Sequence, residues 1–199
     1  MTQQLPIMEM FYTIQGEGKY AGTPAYFIRL GGCDIGCHWC DVKESWDKDA
    51  HPKMYTQEII EKIPKEVRYV IITGGEPCMY NLEELTSALK KKGIQINLET
   101  CGAYEIKGHF DWICLSPKKR KLPIESSLKK AHELKVIIYN QDDFKFAEGF
   151  SQKVPLSCEK YIQVEWSQRS KLQNKVINYT LNNPKWKIST QIHKYLNIR

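Results

Sequence analysis

At 199 residues, against roughly 150 per domain, the chain is too short for two complete enzymatic domains, and a single domain over 1–199 is expected. Hydrophobic residues at 42% and charged residues at 26%, with no low-complexity tract, exclude a disordered or fibrous chain. Lys plus Arg number 29 against 23 Asp plus Glu, a net charge of +6 that falls short of a dedicated nucleic-acid domain and leaves small anions as ligands.

Apolar runs rich in β-branched and aromatic residues predict buried strands at 25–30, 69–72, 94–98, 112–115, 134–139 and 161–164. Amphipathic stretches predict helices at 57–63, 82–92, 126–133, 143–150 and 167–181. The second of these has Asn81 as N-cap, Glu84 at the capping-box position, Gly93 as its stop, and Lys90, Lys91 and Lys92 at its negative end. Alternating strands and helices require a parallel α/β sheet, because parallel neighbours are joined by long crossovers. At roughly 30 residues per βα unit the chain affords about six units, so an incomplete parallel β/α barrel is expected rather than a closed eight-fold one. No run approaches the roughly 18 apolar residues of a membrane helix, and Glu9 interrupts the N-terminal apolar stretch. A cytoplasmic location is expected, without membrane contact.

Seven cysteines is an odd number, and Cys33, Cys37 and Cys40 crowd into one glycine-rich loop after the first predicted strand. Metal or redox chemistry fits this better than a disulfide framework. An electron-transferring cubane normally takes four thiolates. Three would leave one iron open to a substrate or cofactor. Zinc with His38 or His51 as fourth ligand is the alternative, but the paired CxxC knuckles of such sites are missing. Cys78 or Cys101 could supply a fourth ligand to a cluster; otherwise these, Cys114 and Cys158 are expected to act as small apolar residues.

Further along, Thr73-Gly74-Gly75-Glu76-Pro77 follows the second predicted strand, and its glycines are expected to let backbone groups approach a ligand. Glu99 and Ser116-Pro117-Lys118 end the next two strands, placing a carboxylate, a hydroxyl and an ammonium on one rim, which suits a zwitterionic, ribose-bearing ligand. The run Lys118-Lys119-Arg120-Lys121 is either an electrostatic footprint for phosphate or a solvated loop.

The CxxxCxxC loop with Trp39 before its last cysteine resembles the signature of radical S-adenosylmethionine enzymes, and Gly74-Gly75-Glu76-Pro77 is similar to their element that cradles the methionine amino group. The resemblance implies an incomplete barrel of the radical SAM type with an irregular C-terminal segment. It also implies a [4Fe-4S] cluster on Cys33, Cys37 and Cys40 whose unique iron binds S-adenosylmethionine, which one electron cleaves to a 5′-deoxyadenosyl radical. Contacts to that cofactor are implied for Trp39, Asp41, Gly74, Gly75, Glu76, Glu99, Ser116, Pro117, Lys118 and Gln163.

Within the superfamily, Gln15-Gly16-Glu17-Gly18, Arg29, Trp46 and Gln191-Ile192-His193-Lys194 resemble the 7-carboxy-7-deazaguanine synthases over nearly the whole chain. That resemblance implies a lyase that contracts the ring of 6-carboxy-5,6,7,8-tetrahydropterin with loss of ammonia, in deazapurine (queuosine) synthesis for tRNA modification. Substrate contacts are implied for Ile14, Gln15, Gly16, Glu17, Arg29, Thr73, His193 and Arg199, whose carboxylate is expected to fold over the substrate. Gln15 and Glu17 suit pterin donors and acceptors, and Arg29 offers a planar fork for a carboxylate.

Magnesium assists in that family, with Asp41 as a candidate ligand here. An electron donor such as flavodoxin or ferredoxin and a homodimer are implied as well, with no direct contact to nucleic acid. Two positions depart from the pattern: Val42 stands where the family has Thr or Ser, whose hydroxyl ligates magnesium, and Val164-Glu165 stands where proline often follows the strand glutamine. The alternatives are a radical SAM activase acting on a protein glycine, which should lack the 15–18 and 191–194 segments, and a non-catalytic iron–sulfur or zinc module.

Overall fold

The six apolar runs expected as strands lie side by side in the computed structural model, which describes residues 3–199. In chain order the strands are β1 (Gln4–Ile14), β2 (Pro24–Leu30), β3 (Lys53–Tyr55), β4 (Tyr69–Gly74), β5 (Gln95–Thr100), β6 (Trp112–Leu115), β7 (Glu133–Ile138), β8 (Glu159–Val164) and β9 (Trp186–Ile188). Helices are α1 (Thr56–Glu61), α2 (Glu83–Lys91), α3 (Glu125–Lys129), α4 (Asp143–Ser151), α5 (Arg169–Asn182) and α6 (Ile192–Leu196). Parallel pairing runs unbroken from β2 through β4, β5, β6, β7 and β8 to β9. The order is β3-β1-β2-β4-β5-β6-β7-β8-β9 and the sheet is not closed, as the incomplete barrel requires.

Three strands go beyond the apolar pattern. β1 pairs antiparallel with β2 and β3, giving the parallel sheet an antiparallel edge. Beyond a register shift between Ile7 and Glu9 its side chains are mostly half-buried, so Glu9 and Thr13 break the apolar run without breaking the strand. β3 and β9 have three residues each, too few for a period to show. With β9 and α6, the C-terminal segment is more regular than expected.

Helix ends also move. The helix expected at 82–92 begins at Glu83; Asn81 Oδ1 still accepts the Glu83 N–H at 3.0 Å, but Glu84 closes no capping box. The helix expected to reach 133 stops at Lys129, because Glu133 opens β7 and is buried there.

One core cluster joins β2, β4 and β5 to α1 and α2, with Ile72, Leu85, Leu89 and Leu98 almost fully buried. A second joins β7, β8 and β9 to α4 and α5, around Ile138, Ile162 and Trp186. Each such aliphatic side chain stabilises the fold by about 1.5–3 kcal/mol relative to exposure. This fixed sheet leaves the loops at the C-terminal ends of the parallel strands free to carry chemistry. Among the described residues no helix is long and apolar enough to cross a membrane.

Candidate active site

The chain leaves β2 through Gly31 and Gly32 into the cysteine loop, and leaves β4 through Gly74 and Gly75. These two exits are hydrogen-bonded together: Gly75 N–H donates to Leu30 O and Glu76 N–H to Gly32 O, both at 2.8 Å. A Cβ on Gly74, whose φ is +124°, would stand 2.2 Å from Leu30 O, and one on Gly75 would stand 2.1 Å from Gly32 O. The glycines are therefore required by the approach of the protein's own backbone, and both also line the cavity beside the cysteine loop.

Glu76 has a structural task in the same turn. Its buried carboxylate accepts from Cys78 N–H (3.0 Å), the Thr100 hydroxyl (2.5 Å) and Cys101 N–H (2.7 Å). It buckles the turn to the end of β5 while still forming part of a cavity floor.

That cavity, of about 240 Å³, has Cys33, Cys37 and Cys40 in one wall with Trp39 and Asp41, and Gly74, Gly75 and Glu76 beneath. Glu99, Ser116, Lys118 and Gln163 face them from the ends of β5, β6 and β8. Lys118 folds inward, 5.2 Å from the Trp39 ring centre and donating to Ser116 Oγ at 2.6 Å, so the basic run is not simply solvated. Gln163 is held by Ser189, whose hydroxyl donates to its Oε1 at 2.6 Å. Pro117 sits apart, in a small adjoining cavity of about 90 Å³.

A second cavity of about 190 Å³ shares Glu17, Cys40, Asp41, Thr73, Gly74 and Glu99 with the first. All the residues expected to contact substrate line it: Ile14, Gln15, Gly16, Glu17, Arg29, Thr73, His193 and Arg199. The start of α6 is tied to the Gln15–Gly18 turn by Ile192 N–H donating to Gly16 O at 3.0 Å, and burial lowers the His193 pKa. Arg29 also keeps a structural ion pair, its Nε 3.2 Å from Glu9 Oε1, and Arg199 pairs with the same carboxylate.

Sequence reasoning missed Lys135 of β7, which lines both cavities and is 4% exposed. Its Nζ donates to Glu17 Oε2 at 2.7 Å and to Glu99 Oε2 at 3.0 Å. Gln191 Nε2 donates to the other Glu17 oxygen at 2.9 Å. Burial opposes the ammonium charge, but the surrounding carboxylates Glu17, Glu99 and Glu133 hold the Lys135 pKa well above its ordinary value. Burial would raise Glu17 too, yet Lys135 outweighs it and brings Glu17 down to about 2. Glu99 is left raised, because burial there exceeds the relief Lys135 gives. The only sequence signal was a lysine inside an apolar strand run, invisible until the strand's inward face is known.

Among the described residues, no three His, Cys, Asp or Glu side chains gather as ligands of a single ion. His38 stacks edge-on against Tyr139 and His51 Nε2 lies 2.9 Å from Glu44 O, so neither completes a zinc site with the thiols. The free thiols of Cys33, Cys37 and Cys40, with Cys101 lining the same cavity, fit a multi-iron cluster instead. Cys101 packs beside Cys33 and Cys37, whereas Cys78 belongs to the core under α2. Magnesium fits poorly: Asp41 is largely exposed and 3.6 Å from the Lys194 ammonium, and Val42 brings no oxygen to the second cavity.

Residues 27–112 match the Radical SAM superfamily. A 7-carboxy-7-deazaguanine synthase of Flavobacterium psychrophilum is 52% identical over 98% of this chain and 93% of its own length. One from Synechocystis sp. is 44% identical, covering 100% and 96%. The crystal structure of QueE from Escherichia coli has a TM-score of 0.86 at 30% identity, covering 94% of each chain.

Proposed function

This chain belongs to the 7-carboxy-7-deazaguanine synthases of the radical SAM superfamily, and from that premise we propose that it contracts 6-carboxy-5,6,7,8-tetrahydropterin to 7-carboxy-7-deazaguanine with loss of ammonia. The observation that carries the reading is the pair of joined cavities: the thiols of Cys33, Cys37 and Cys40, with Cys101 beside them, line one, and Gln15, Glu17, Arg29 and His193 line the other.

In this reading Cys33, Cys37 and Cys40 hold the [4Fe-4S] cluster. Trp39, Asp41, the Gly74–Gly75 backbone, Glu99, Ser116, Lys118 and Gln163 surround S-adenosylmethionine. Once bound, that pair supplies the radical that removes hydrogen from carbon 6 of the substrate.

The remaining work is binding and orientation. Glu17, kept ionised by Lys135 and aimed by Gln191, accepts from the N–H groups of a pterin edge. Gln15, whose Nε2 donates to Glu99 Oε1 at 3.4 Å, complements it. Arg29 has donors besides the one facing Glu9 and takes the substrate carboxylate. His193 and Arg199 close the cavity from the C-terminal segment. The 15–18 and 191–194 segments, which an activase should lack, are hydrogen-bonded to each other here. An outside one-electron donor and a homodimer complete the proposal, the latter open to sedimentation analysis.

The test is anaerobic reconstitution with iron and sulfide, then incubation with dithionite, S-adenosylmethionine, magnesium and the tetrahydropterin. Mass spectrometry should find the deazaguanine product with the unaltered chain and none with Cys37→Ala. Cleavage of S-adenosylmethionine without that product would overturn the substrate assignment.

A further inference from the structure

β1 carries a register slip whose effect falls on the second cavity. Ile7 stands opposite Leu30 of β2, yet Glu9 stands opposite Arg29, so one extra residue enters β1 between them. In a regular antiparallel ladder Glu9 would instead face Ile28, on the side of the sheet where the apolar core holds Ile7, Ile28 and Leu30. The slip turns it to the other side, where Phe27 and Arg29 line the second cavity. A bulge of this kind re-aims a side chain.

On that side the half-buried Glu9 meets two cations. Its carboxylate lies 3.2 Å from Arg29 Nε and also pairs with the Arg199 guanidinium. Among the described residues neither arginine has another carboxylate within ion-pair distance. Arg29 Nε is buried and, although close to Glu9, makes no aligned hydrogen bond. Arg199 is laid along β1: the Thr13 hydroxyl donates to its carbonyl at 3.1 Å, its guanidinium carbon is 4.6 Å from the Phe11 ring centre, and its tip reaches Glu9. Phe11 in turn stacks on Phe27, with ring centres 5.3 Å apart. Both arginines line the second cavity, whereas Glu9 lines neither cavity. One anion behind the wall therefore holds two cations in it, and leaves one positive charge to be met from inside.

We propose that Glu9 is a positioning residue for the carboxylate of the substrate. The proposal deepens the reading of the second cavity as the pterin site and rests on it. Glu9 acts through the two arginines: it steadies Arg29 on β2 and straps Arg199 across Phe11, so that both present their remaining donors to one carboxylate. A guanidinium fork binds a carboxylate strongly only when its plane is held by the groups behind it. Without Glu9 the two guanidiniums would repel each other, and the strap would lose its anchor.

The experiment uses the cluster-reconstituted enzyme with S-adenosylmethionine, its Glu9→Gln and Glu9→Asp variants, and two stable aromatic probes, 6-carboxypterin and pterin, which differ only in the carboxylate. Calorimetry gives the affinity for each probe. The unaltered enzyme should bind 6-carboxypterin about tenfold more tightly than pterin, the range for a charge-assisted contact. Glu9→Gln should shrink that preference to about twofold by weakening 6-carboxypterin alone, while pterin affinity and the melting temperature stay close to those of the unaltered enzyme. Glu9→Asp keeps the charge and should retain most of the preference. A merely structural role for Glu9 would weaken both probes equally. The proposal is overturned if the preference survives in Glu9→Gln, if both probes weaken together, or if the unaltered enzyme shows no preference. An unaltered enzyme that prefers 6-carboxypterin but forms no product from the tetrahydropterin would uphold the role of Glu9 and count against the proposed reaction instead.

Discussion

Lys135 shows what a single residue contributes and how it hides. In the sequence it is one lysine inside an apolar strand; in the fold it is the shared cation between two buried carboxylates. Replacing it by Met leaves Glu17 and Glu99 without their counter-charge, and breaking a buried pair in this way costs about 3–5 kcal/mol. The pH dependence has a defined sign. Glu17 falls from 4.5 to about 2 on folding, so its contribution is complete above pH 4.5 and is lost as the pH drops toward 2. Thermal melts of the unaltered protein should therefore lose stability through this window. Lys135→Met should melt lower at neutral pH and show a flatter acid limb; an unchanged limb would mean that Glu17 is not held by Lys135.

Val42 makes the opposite point, since its side chain can be read directly from the sequence. With no hydroxyl beside Asp41, and Asp41 facing Lys194, the protein offers a hard cation one exposed carboxylate. Product formation should change by no more than about twofold between excess magnesium and excess EDTA, whereas Val42→Thr should make the rate depend on magnesium. A strong magnesium requirement in the unaltered protein would show that substrate and water complete the site without a protein hydroxyl.

At the level of elements, the parallel strands β2 and β4 to β8 were legible because each is largely buried and reads as an apolar run. β1, β3 and β9 were not, being half-exposed or three residues long. The helix at 126–133 was over-read because a helical period continues into residues that β7 claims. The Gly74–Gly75 turn was legible as a site but not in its cause, since only the fold shows that β2 lies against it. Gly75→Ala should force the turn away from the cysteine loop and cost about 1–3 kcal/mol of overpacking strain. Iron bound per chain after reconstitution should drop with it. Gly149→Ala is the matched control: in α4, with nothing within 4 Å of the added methyl, it should stabilise by about 0.5–1 kcal/mol and leave iron content unchanged. Equal iron content in both variants would mean that the contact between the two loops does not shape the cysteine site.

On the scale of the whole molecule, the second cavity is closed by residues far apart in the chain. Ser189 accepts from Gly18 N–H at 3.0 Å, Gln191 holds Glu17, and the Thr13 hydroxyl donates to Arg199 O at 3.1 Å. No periodicity reports such contacts; only the resemblance of the terminal motifs to one family placed both ends at one site. The architecture separates their roles. The sheet and its helices hold the cysteine cavity, whereas α6 contributes no buried residue to the core. Deleting residues 192–199 should therefore lower the melting free energy by less than about 2 kcal/mol, the range for losing exposed segments and a few surface contacts. It should leave cluster absorbance and reductive cleavage of S-adenosylmethionine in place, while product disappears because His193 and Arg199 no longer close over the substrate. Parallel loss of cluster, cleavage and product would show instead that the C-terminal segment is part of the frame, and that the two cavities cannot be separated in function as they are in space.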